Sequence, residues 1–277
     1  MTTMLELMLQ PLVACLVLAG MHAYLGMHVV KREVIFVDLA LAQVSALGAT
    51  VAFLFNYDLH SLQGFWFGLA FTLLGAAVFS FTRSRNPVVP QEALIGCVYA
   101  ISAAAAILVL SRAPEGGEEL KAILVGNLLF VEWSDIGFIV LVYIGVGAVH
   151  WFARKQLLLI SEDPAAAFDK GMHVRFWDFV FYGTFGLVVT NSVHIAGVLL
   201  VFALLIVPSL CGMFLADSVS RRLAVGWAVG VVTSFVGIYA SFQWDLPTGA
   251  TVVCAFGVSL VTCGTASKLM GRTGAAH

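Results

Sequence analysis

The side chains of this sequence that could do chemistry are few, and they sit inside apolar runs. Asp38 stands near the start of one run, and Gln43 lies five residues deeper. His22 falls in the run before it, and His194, with Asn191 beside it, closes a later one. A carboxylate within a bilayer is costly unless paired and usually faces a polar cavity. Asp38 therefore reads as a pathway residue or as an interfacial helix cap near Lys31 and Arg32. A buried amide such as Gln43 lines a path or bonds a neighbouring helix. Imidazole is the commonest transition-metal ligand, although an isolated histidine also serves in packing. One carboxylate, one amide and one or two imidazoles would hold a cation loosely, which suits an ion that must enter and leave. Asp58 and His60 form a turn that reads as solvated, and His150 and His173 fall outside the ligand set.

The missing motifs narrow the chemistry further. There is no GxxxxGK[ST] phosphate loop, no HExxH and no GxSxG. The chain is not expected to be an enzyme, and any ATP hydrolysis belongs to a separate chain. Cys15, Cys97, Cys211, Cys254 and Cys263 all lie in apolar runs without a CxxC pair, so they read as small membrane-buried side chains.

The elements that position these residues follow from composition. Of 277 residues, 61% are hydrophobic and 11% charged, far below the roughly 25% charged of soluble domains. Lipid can cover that much apolar surface. The net charge of −2 gives no case for nucleic acid. A crossing helix needs roughly 20 apolar residues. Such runs occur near 5–29, 34–55, 61–82, 92–111, 136–153, 176–194, 197–216, 222–242 and 247–267. The fold class is therefore all-α, a polytopic membrane protein of eight or nine transmembrane helices in one domain spanning 1–277. Gly197 and Pro208 make the sixth and seventh runs the least distinct.

Charge sets the orientation. With nine spans, 12 of the 14 basic residues fall at inward junctions, and only Arg112 and Lys121 lie outside. The positive-inside rule then places the N-terminus out and the C-terminus in. No Lys or Arg precedes the first run, which argues for a first span rather than a secretory leader.

Two connections have structure of their own. In the outer one, 112–134, Leu120, Ile123, Leu124, Leu128 and Leu129 fall at helical spacing, predicting an interfacial helix. In the inner one, 156–175, Asp163 can cap a helix, Pro164 suits its first position and Gly171 suits its exit. The spacing predicts a short capped helix over about 163–171.

Four stretches, in order, resemble the metal-ion permeases of the ABC-3 family. They are Gly26 to Arg32 with Phe36-Val37-Asp38 and Ala42 to Gly48, then Glu92 to Gly96, then Leu124 to Leu129, then Asp163 to Gly171 with Ala196 to Pro208 downstream. Asp245-Leu246-Pro247-Thr248-Gly249 also looks like the family. The resemblance implies a permease subunit of an ATP-driven importer in a bacterial inner membrane, carrying a divalent metal ion, zinc first, with manganese or iron as alternatives. It implies a homodimer with two cytoplasmic ATP-binding subunits and an extracytoplasmic metal-binding protein. The ion is cargo, and no resident cofactor is expected. Asp163, Pro164, Ala167, Phe168 and Gly171 would form the helix that couples to the ATPase. Many members carry Asp and, four residues on, His on the second span. Here Ala42 holds that place and Gln43 follows, about 500° around the helix from Asp38, so the two do not share a face. The metal set is Asp38, Gln43, His194 and His22. Two other readings stay open: a gradient-driven secondary transporter, with Asp38 as the coupling carboxylate, and an ABC permease for a small metal chelate.

Overall fold

A computed structural model describes residues 2–57, 61–85, 88–111, 126 and 128–271, with side chains from residue 8 onward. Among these the chain forms ten helices and no strand. They are α1 (Thr2–Lys31), α2 (Val37–Leu54), α3 (Leu62–Phe81), α4 (Gln91–Leu110), α5 (Trp133–Phe152), α6 (Arg154–Glu162), α7 (Pro164–Asp169), α8 (Val174–Leu215), α9 (Val219–Gln243) and α10 (Thr248–Leu269). Eight of them are long and apolar enough to cross a membrane. The all-α, polytopic expectation holds.

The apolar runs became helices within a few residues of their expected limits, because in a bilayer only intrahelical bonds can satisfy a spanning backbone. The sixth and seventh runs differ in form. They make one element, α8, of 42 residues, in which Gly197 (φ 73°, ψ 160°) leaves the helical conformation and two helices meet. A straight helix of that length would reach about 63 Å, twice the roughly 30 Å hydrocarbon core.

Two further differences concern the connections. The helix α6 was not anticipated; it buries Leu157, Ile160 and Ser161 on one side, an amphipathic pattern too short to register as a span. Most of the expected outer interfacial helix lies outside the described residues. Within them, Leu128–Phe130 form a single 3-10 turn.

The chain divides into two compact units, each discontinuous in sequence. One comprises 1–30, 125–140 and 195–277. In it α9 packs on α10, and Gly26 lies so close to the Leu205 carbonyl and Ser209 that any Cβ would collide. The other comprises 31–124 and 141–194, and contains Asp38, Gln43 and His194. There α2 packs on both α3 and α4. Small residues permit the approach: a Cβ on Gly48 would meet the backbone of Phe67 and Gly68, and Gly68 in turn faces Ser45. Such small-residue contacts are the usual means by which membrane helices pack, since lipid offers no hydrophobic drive between them.

Candidate functional site

Asp38 is the second residue of α2 and is 1% exposed. It does not cap its helix: Phe36 holds the cap position without a side-chain bond. Instead the Phe36 N–H donates to Glu92 Oε1 of α4 at 3.0 Å, so a carboxylate from another helix meets an orphan donor of α2. Neither Asp38 oxygen has a hydrogen-bond partner among the described residues. Asp38 stands in the first turn of α2, where the partial positive charge of the helix lies. The interfacial-cap reading therefore fails, and a buried acceptor pair remains.

Gln43 is also buried, at 4% exposure. Asp38 and Gln43 lie on different faces of α2, yet both are enclosed, because the helix is covered on more than one side: Ala40, Leu41, Ala42 and Val44 are buried with them. In the same unit Tyr143 of α5 is buried. Its hydroxyl bonds Ser192 Oγ of α8 at 2.7 Å, and Ser192 donates back to the Val188 carbonyl at 2.6 Å. Next to Ser192, Asn191 donates its amide to the Leu187 carbonyl at 2.7 Å, which leaves its side-chain oxygen as the acceptor end. Tyr143 and Ser192 are absent from the residues expected from sequence. Ser192 could have been found, because Thr190-Asn191-Ser192 is a polar run inside an apolar span; Tyr143 carries no such signal.

The remaining expected ligands are placed differently. His194 is exposed at the end of the run that contains Asn191. His22 belongs to the other unit and is fully buried, with Nδ1 2.9 Å from the Leu18 carbonyl. With Nδ1 as the donor of that bond, Nε2 is the acceptor nitrogen. Among the described residues no three His, Cys, Asp or Glu side chains form a group that could hold a metal ion. All five cysteines are free, Cys15 and Cys211 buried and Cys97 and Cys254 exposed.

The second feature of this unit is a buried ion pair that joins helix ends. Arg32 Nη1 lies 2.5 Å from Asp178 Oδ1, and both side chains are fully buried. Arg32 Nε donates to Ser161 Oγ at 2.8 Å, and the guanidinium lies 4.0 Å from the centroid of the Phe181 ring. Arg83 Nε stands 3.7 Å from the second Asp178 oxygen. Lys31 pairs with Glu162 at 3.2 Å. The turn after α1 is thus tied to the end of α6 and the start of α8. Asp178 is an ionisable residue inside an expected span, so its sequence position was already a signal; its partner, 146 residues away, was not readable.

The helix α7 is built as its sequence predicts. Asp163 accepts from the Ala166 N–H at 2.8 Å, and Pro164 opens the helix. At the exit Gly171 (φ 68°) turns the chain, its N–H bonding the Phe168 carbonyl at 2.9 Å while the Met172 N–H bonds the Ala167 carbonyl at 3.1 Å. Both bonds of a Schellman closure are present. Ala167 is buried against Ile160 and Val174, with Phe168 partly covered beside them. Arg85 pairs with Asp169 across the surface at 2.5 Å.

Eight helices long and apolar enough to cross a membrane define a polytopic all-α membrane protein. The chain belongs to the ABC 3 transport family, which it matches over residues 4–265. It is 25% identical over 230 residues to the manganese transport system membrane protein MntC of Listeria innocua, covering 83% of this chain and 79% of that protein. It is 26% identical over 252 residues to a protein of Haemophilus influenzae named "Probable iron transport system membrane protein", covering 90% of this chain and 86% of that protein. Among solved structures, PsaBC from Streptococcus pneumoniae in complex with Fab superposes with a TM-score of 0.73, covering 92% of this chain and 89% of that one at 23% identity, a likeness of fold.

Proposed function

We propose that this chain is the permease subunit of an ATP-driven importer that moves a divalent first-row metal ion across a bacterial plasma membrane. The observation that carries the reading is the family match along nearly the whole chain, within which relatives named for manganese and iron transport align over most of their length. Those names move the weight from zinc to manganese and ferrous iron. The donors agree: carboxylate and amide oxygens at Asp38 and Gln43 suit manganese better than a soft site would. The ion is cargo rather than a resident cofactor. Asp38 is its way-station, with Gln43 and His194 of the same unit as separate further donors, and His22 of the other unit as a donor of its own. Two ATP-binding subunits on the cytoplasmic side, a second permease copy and an extracytoplasmic binding protein complete the importer. The helix α7 meets the ATPase, and the Arg32–Asp178 pair carries its displacement into α8 as a rigid-body movement.

The test is uptake of radioactive manganese, iron and zinc into cells expressing the chain with its ATPase and binding protein. Manganese or iron accumulates, accumulation needs the ATPase, and Asp38→Asn drops it to background while the protein still reaches the membrane. Accumulation of none of the three metals would overturn the metal reading. Full uptake by the Asp38 variant would remove that residue from the path.

A further inference from the structure

A cleft of about 860 Å³ opens where α3 ends and α8 begins, and its walls include Arg83, Arg85, Arg175, His173, Phe176 and Trp177. We propose that this cleft binds the phosphate of an anionic phospholipid headgroup. Its level relative to lipid follows from the two helices. Both are apolar enough to span, and Ser80 at the end of α3 donates to the Arg175 carbonyl in the first turn of α8 at 2.5 Å. Two spans therefore terminate together, and the arginines emerge where headgroups lie. Phe81 is 70% exposed and Phe176 57%, so apolar surface fit for lipid chains adjoins the arginines.

The chemistry of the walls selects an anion. The Arg175 Nε donates to the Arg83 backbone carbonyl at 3.3 Å, which ties the Arg175 side chain to the residues that follow α3. Arg83 also donates to Gln91 Oε1 at 2.6 Å, so its stem is fixed. Arg85 pairs with Asp169 on the exposed surface, a pair that a phosphate can displace at little cost. The other carboxylate close by, Asp178, is fully buried between Arg32 and Arg83, so Arg85 and Arg175 are the cations left for a ligand. Guanidinium groups bind phosphate through paired, charge-assisted bonds, and basic pockets between spans are suited to anionic headgroups. The volume admits a headgroup and the first carbons of its chains, not merely an ion. Phe168 of α7 also lines the cleft, so an occupying lipid would brace the capped helix from the membrane side.

The test uses the purified chain in mild detergent, titrated with short-chain phosphatidylglycerol, phosphatidylcholine or inorganic phosphate and read by native mass spectrometry. Phosphatidylglycerol binds, phosphatidylcholine binds at least about tenfold more weakly, and R85Q/R175Q loses the same factor. The variant R85K/R175K keeps partial binding, and unchanged melting temperatures show that both variants fold. Arg83 is spared because it also supports Gln91 and Asp178. Equal binding of both lipids, or phosphatidylglycerol binding unchanged in R85Q/R175Q, overturns the proposal. Inorganic phosphate that binds as well as the lipid makes this a free-phosphate site instead. If R85Q/R175Q loses the co-purified ATPase while lipid binding is unchanged, the cleft is a protein-docking surface.

Discussion

Two buried carboxylates in one unit are handled in opposite ways. Asp178 is matched by Arg32 and Arg83, and Arg32 in turn by Ser161 and the Phe181 ring; Asp38 has no hydrogen-bond partner among the described residues. A paired carboxylate reads as scaffold, and an unmatched one reads as a place that something else completes. The contrast makes a prediction about stability. Asp178→Ala strands the Arg32 guanidinium in an apolar site and should cost roughly 3–5 kcal/mol, seen as a large fall in melting temperature in detergent. The double variant Arg32→Met with Asp178→Leu should recover most of it, since the fully buried guanidinium is gone and Arg83, which is partly exposed, keeps its bond to Gln91. Asp38→Asn should leave melting unchanged or raise it, because removing an unmatched buried charge relieves desolvation. Asp38 was singled out in sequence as an acid inside an apolar run, and Asp178 was not. Which of the two is satisfied could not be read, because satisfaction depends on partners such as Arg32, which lies 146 residues from Asp178.

Local signals sufficed for the elements whose ends are set by neighbouring residues. Asp163, Pro164 and Gly171 specify both ends of α7 within nine positions, and the observed bonds are the ones those residue types make. Removing the cap by Asp163→Ala should cost about 1 kcal/mol. That is too little to unfold the chain but enough to fray a helix of six residues, so uptake should fall while surface expression holds. Gly197 is the second local signal. Its φ and ψ lie in a region that only glycine adopts without strain, so Gly197→Ala should cost on the order of 1–3 kcal/mol, read as a lower melting temperature. The element that escaped the sequence reading is α6. Its nine residues bury one side only, and nothing in so short a run separates a helix from a connection.

At the scale of the whole molecule, the surface is that of a protein covered by lipid or by other chains. Only 22% of the spanning window is buried in each of α4 and α10, and their exposed residues include Ile101, Leu108, Val258 and Val261. The apolar runs made that legible from sequence alone; the number of crossings depends on α8. Counted once, it gives eight spans; counted as two helices meeting at Gly197, it gives nine. The 42-residue length favours two, because a single crossing would leave about half of an apolar helix outside the hydrocarbon. The two counts differ at defined positions. With nine, the turn at Asp245 lies across the membrane from Lys170, and Met270 lies on the same side as Lys170. With eight, both relations reverse. Single cysteines at Lys170, Asp245 and Met270 in a cysteine-free background, treated with a membrane-impermeant maleimide on intact cells, distinguish them. Labelling at Asp245 alone is expected, which fixes nine crossings with α7 and the C-terminal end of α10 inside. Labelling at Met270 alone would mean that α8 crosses once and that Gly197 is a bend within a single pass.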